Sequence, residues 1–215
     1  MSIRHLLCNF SILILFACNT ENSSNKELNS NQSNASSKYY SELPFNKDLL
    51  EEGDIILRRG SGMLSNYIIQ KLNDSLPISH CGIIVKNHQD IHVIHSILSE
   101  EKGIRGITKE PVDDFIQDAL LNSLIIIRQK QSEKYKLDFV AQAEQMLKAK
   151  IPFDPMFDIQ TQEKMYCTEI VWSISKDLLG KDIFQEKVKA GHVELLGFNN
   201  FFNPDYFEVV FSDFE

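Results

Sequence analysis

The 215-residue sequence has one tryptophan, no run of basic residues and no apolar stretch long enough to cross a membrane. It also lacks a Gly-rich phosphate loop, a GxSxG elbow, and any CxxC, HExxH or HxH spacing. Each absence removes a class. Lys and Arg number 22 against 30 Asp and Glu, a formal net charge of −8. Phosphate neutralisation supplies most non-specific nucleic-acid affinity, so no nucleic-acid partner is expected. Without a phosphate loop or serine elbow, nucleotide binding and serine hydrolysis have no support. Zinc is not expected either: in extended segments His80 and Cys81 point to opposite faces, as do His92 and His95.

What is present is ordinary for a folded protein: 43% hydrophobic, 10% aromatic and 24% charged residues. Residues 1–17 read as a secretory leader. Arg4 and His5 precede an apolar stretch from Leu6 to Ala17, broken only by Asn9 and Ser11. As a helix that stretch would span about 18 Å, short of the roughly 30 Å of a hydrocarbon core. Its end, Leu15-Phe16-Ala17-Cys18, resembles a bacterial lipoprotein lipobox, although Phe16 is bulkier than usual. That resemblance makes Cys18 the lipidated first residue and the membrane a partner. Asn19, not an aspartate, then points to the outer membrane of a cell envelope. Residues 18–41 form an Asn/Ser-rich segment that cannot bury enough apolar surface to order itself, a tether. Residues 42–215 form one domain, large enough to need no disulfide.

Along that domain, Ile55-Ile56-Leu57 reads as a strand, and Met63, Leu64, Tyr67, Ile68 and Leu72 recur at helical period behind Ser61 as a cap. Strands are expected at 79–85, 91–97, 103–108 and 124–127, with an edge strand at 207–211. A short acidic helix follows Pro111, an amphipathic helix covers 134–148, and a longer one runs from Cys167 to Leu179, stopped by Gly180. In the 134–148 helix Leu137, Val140, Ala141, Glu144 and Leu147 mark the faces. Strands clustered centrally, with helices to either side, indicate an α+β architecture.

Cys167 carries the most chemical information. It stands where a Pro-rich loop gives way to a helix, and the free amides and dipole of a helix start favour a thiolate. Such a cysteine is a candidate nucleophile or a buried structural residue; a nearby base decides. His80 lies in Ser79-His80-Cys81-Gly82-Ile83, where Gly82 leaves room beside it. His95 shares a strand face with aliphatic residues and so needs a hydrogen-bond partner. His88 and His92 read as surface residues, and Cys81 as a small buried one.

Four segments then occur in order: Glu52-Gly53-Asp54-Ile55-Ile56, Ser79-His80-Cys81-Gly82-Ile83, Val93-Ile94-His95-Ser96 and Tyr166-Cys167-Thr168-Glu169-Ile170-Val171-Trp172. Together they resemble the permuted papain-like amidases, the YiiX/YebB-like branch of the NlpC-type cysteine hydrolases, over residues 49–212. The resemblance implies a circularly permuted papain-like fold with a central antiparallel sheet and packed helices. It implies Cys167 as nucleophile, His80 as general base and acid, and His95 as the orienting third group, where some relatives have glutamate. Cys167 Sγ is then expected within about 4 Å of one His80 nitrogen, with the other facing His95. The implied activity is hydrolysis of a peptide or lipid-linked acyl amide through an acyl-enzyme, with no cofactor. A binding lipoprotein that kept the cleft, or a thioester-forming acyltransferase, is the alternative.

Overall fold

The computed structural model describes residues 38–88, 90–161 and 163–214. The leader at 1–17 and Cys18 lie outside them. Ile55-Ile56-Leu57 has no polar face, and it becomes β1 (Ile55–Arg58), buried on both sides at the centre of a sheet. β2 (His80–Asn87) and β5 (Leu124–Gln129) flank it. β3 (Asp90–Ser99), β4 (Ile104–Pro111) and β8 (Phe207–Ser212) complete six antiparallel strands in the order β4-β3-β2-β1-β5-β8.

Alternation along these strands makes two cores. On one face Leu57, Cys81, Ile83, Ile94 and Ile127 pack against α3 (Glu133–Lys148) and α4 (Cys167–Leu179). On the other, Ile56, Ile84, Val93 and Ile126 pack against Phe115 of α2 (Val112–Gln117). α4 stops where expected, because Gly180 takes the left-handed conformation at φ 64°. The α+β architecture and central antiparallel sheet are as expected, with β8 at the edge.

Several local expectations are corrected. The Met63–Leu72 helix, α1, begins after Gly62 at φ 95° instead of being capped by Ser61. Its apolar stripe is largely uncovered: Met63 is 91% exposed, and only Leu72 is buried. In α3 the buried residues are Tyr135, Lys136, Phe139, Val140 and Ala143, while Leu137 is exposed. A hairpin of β6 (Lys187–Ala190) and β7 (Val193–Leu196), turning at Gly191, was not expected. Residues 38–41, assigned to the tether, belong to the domain. Tyr39 bridges to Leu120, and the buried Tyr40 donates its hydroxyl to Asp213 and accepts from the Ser123 amide at 3.2 Å.

Candidate active site

The register of β1, β2 and β3 assembles the polar part of the site. Arg58 is the cross-strand partner of His80, and β2 runs beside β3 so that His80 meets His95. His80 Nε2 lies 2.7 Å from His95 Nδ1, with the rings edge to face. Gly82 makes this approach possible, because a Cβ there would fall 2.2 Å from Val93 Cγ1 and 3.2 Å from His95 Cβ. Phe115 stacks under His80 and meets His95 edge-on, with the Arg58 guanidinium 4.4 Å over its ring.

Burial holds His80 well below the ordinary imidazole value, reinforced by the Arg58 charge and by His95 and Lys102. His95, fully buried, is lowered by burial against the opposing pull of Glu110. Both rings are therefore neutral at pH 7. His95 Nε2 is 3.1 Å from Glu110 Oε1, and Lys102 joins Glu110 at 3.2 Å to Asp118 at 2.9 Å. Sequence reasoning named neither Glu110 nor Arg58. His92 is half-buried and His88 exposed, away from this cluster.

Cys167 is the first residue of α4, following Tyr166 at the cap. The carboxyl group of Glu169 accepts from the Tyr166 amide at 3.2 Å and closes the helix start. Ser96, next to His95, donates its hydroxyl to the Met165 carbonyl at 2.6 Å and ties β3 to the loop before the nucleophile. The Cys167 thiol is pulled below its ordinary value first by a hydrogen bond with the Cys81 thiol, against burial. The amides of Cys81, Thr168 and Cys167 itself add to the pull. Alternation turns Cys81 onto the face that receives α4, where it packs with Cys167.

Cys167 and His80 line one cleft of about 420 Å³, with Arg58, Leu64, Ser96 and Phe157 among its walls. They reach it from different sides. The His80 ring lies with Phe115 on one face of the sheet, whereas Cys167 packs with Cys81 on the other, and the cleft opens around the strand ends. His80 faces His95 through one nitrogen as expected, but no hydrogen bond joins His80 to Cys167 among the described residues. Its Nδ1 remains uncommitted. Nor does any group of three or more His, Cys, Asp or Glu among the described residues have the arrangement to hold a metal ion.

Two comparisons with known proteins find matches for this chain. A family model described as permuted papain-like amidase enzyme, YaeF/YiiX, C92 family, matches residues 49–212. Among solved structures, the crystal structure of metalloprotein yiiX from Escherichia coli O157:H7 is similar, with a TM-score of 0.63 and 16% sequence identity. The match covers 77% of this chain and 98% of that one. No curated protein matches.

Proposed function

Because this chain belongs to the permuted papain-like amidases, we propose that it is a lipid-anchored envelope cysteine hydrolase whose site is Cys167, His80 and His95. The observation that supports this most is the shared cleft: a thiol at a helix start opens onto the same space as an imidazole already held by a second one. The free Cys167 thiol, beside the Cys81 thiol at rest, turns toward His80 Nδ1 when substrate fills the cleft. Contacts of this kind tighten in the substrate complex.

His80 takes the Cys167 proton at Nδ1, and the thiolate attacks the amide carbonyl. The oxyanion forms near the Cys167 amide at the helix start. His80 returns the proton to the amine, the C–N bond breaks, and a thioester remains. Water, deprotonated by the same imidazole, attacks that thioester and releases the acid and the thiol. A peptide or lipid-linked acyl amide is the substrate class. The lipid on Cys18 holds the domain at the envelope, in the outer membrane by the Asn19 criterion.

The test is the pH dependence of Cys167 alkylation by iodoacetamide, read by mass spectrometry at that residue and compared with His80→Ala. The expected result is an apparent pKa below the free-thiol value near 8.5, raised by His80→Ala. Slow labelling at an ordinary pKa, indifferent to His80, returns the protein to the binding reading.

A further inference from the structure

We propose that Glu110 is a positioning residue of this site: acting through His95, it fixes the tautomer of His80 so that the ring presents a bare Nδ1 to the cleft. Its catalytic meaning rests on the Cys167–His80 reading above; the hydrogen-bond argument does not.

The argument is one of donors and acceptors. His95 is fully buried, and each ring nitrogen has one neighbour: Nδ1 faces His80 Nε2 at 2.7 Å, and Nε2 faces Glu110 Oε1 at 3.1 Å. His95 Nε2 and Glu110 Oε1 are both buried, and neither has a hydrogen bond of good geometry among the described residues, so their 3.1 Å contact is an electrostatic one. A neutral imidazole carries one N–H and one bare nitrogen, whereas a carboxylate only accepts. A bare Nε2 would set its lone pair against the carboxylate at 3.1 Å, so the N–H of His95 sits on Nε2, toward Glu110. Its Nδ1 is then bare and can only accept, which places the His80 proton on Nε2. A neutral His80 so protonated has its lone pair on Nδ1, the nitrogen with no hydrogen-bond partner among the described residues. One carboxylate thus sets the direction of the hydrogen bond between the two rings. Reversed, the chain would put a proton on His80 Nδ1 and leave a donor where the thiol needs a base.

The fold supplies what this needs. Glu110 is the cross-strand partner of Val93, and His95 is two residues further on, so both side chains share the Phe115 face diagonally across β3 and β4. Burial pushes the carboxyl's pKa up, but His95 and Lys102 outweigh it and bring it down to about 2. Lys102 balances the Glu110 charge and is itself shared with Asp118, which also lies 3.7 Å from Arg58. Arg58 and Lys102, the cations facing the two rings, disfavour a protonated His80 and so keep the pair neutral.

Nitrogen-15 NMR of the histidine rings in the full chain reads the tautomer directly. The expected spectrum has His80 protonated at Nε2 in the native protein and a mixture of tautomers in Glu110→Gln. The amide keeps the size of the carboxylate but can donate as well as accept, so it imposes no direction. Cys167 alkylation should fall about tenfold or more in Glu110→Gln, the usual scale for losing a ring-orienting partner. In a His95→Ala background the same substitution should change nothing further. An Nδ1-protonated His80 in the native chain overturns the proposal whether or not any variant folds. A tautomer indifferent to Glu110→Gln, or an alkylation effect that survives His95→Ala, overturns it too. A locked tautomer beside an inert Cys167 would instead sink the nucleophile reading and leave the role of Glu110 in place.

Discussion

Two carboxyl groups, one beside the nucleophile and one against His95, are displaced in opposite directions, and they act oppositely on stability. Glu169 is raised to about 8, first by burial and then by the nearby acidic groups and Cys167, against the Tyr166 amide. The folded state therefore binds a proton that the unfolded chain has released, and stability falls as pH rises from about 4.5 to 8, by at most about 1.4 kcal/mol per pH unit. Glu110, depressed to about 2, adds stability above pH 4.5 that is lost as pH falls through its folded pKa. Urea unfolding across pH 5–8 should accordingly show a decline that Glu169→Gln flattens, since glutamine still accepts from the Tyr166 amide. Replacing Cys81 with Ala should raise the apparent pKa of Cys167 alkylation, because the Cys81 thiol is the strongest influence lowering it; an unchanged profile would refute that account. The candidate residues themselves were legible: a cysteine at a loop–helix junction and two histidines on strands. Glu110 was not. Its link to His95 depends on the β3–β4 register, which no local pattern states. Cys81 was placed on its correct face, but alternation tells which way a side chain points and not which helix arrives there.

Elements behaved according to how strongly their boundaries were signalled. The Cys167–Leu179 helix was readable to the residue because a loop and Gly180 bracket it. The β6–β7 hairpin was missed because its strands are four residues long and partly exposed, although Gly191 between two alternating stretches is the signal that marks it. The uncovered stripe of α1 shows the opposite failure, a periodicity without a partner element to bury it. At this scale one side-chain hydrogen bond ties β3 to the loop that leads into α4. Ser96→Ala removes the bond to the Met165 carbonyl, which retains only the Asp154 amide at 3.4 Å. A loss of about 1 kcal/mol in denaturant unfolding is expected, together with slower Cys167 alkylation at fixed pH. Unfolding weakened with alkylation unchanged would mean that the tie stabilises the loop without positioning the nucleophile.

Across the whole molecule, the amino-terminal edge of the described domain is fastened to its carboxyl-terminal strand. Tyr40 bonds Asp213, and Asp213 accepts the Leu124 amide at 2.7 Å, so residues 38–41 help hold β8 against β5. A chain beginning at residue 42 should melt below one beginning at 38, by about 2–4 °C for each kcal/mol lost. Equal melting temperatures would return those residues to the tether. Composition made this edge hard to read, since the two tyrosines follow directly on an Asn/Ser-rich segment.

The order of the parts along the chain is also an order in time. Translation starts at the amino end, so His80, His95 and Glu110, with β1 to β5, are all made before Cys167. The most reactive atom of the site is synthesised after everything that governs its proton. A nascent chain interrupted before α4 carries a base with nothing to activate, and no nascent chain carries the thiol without its base.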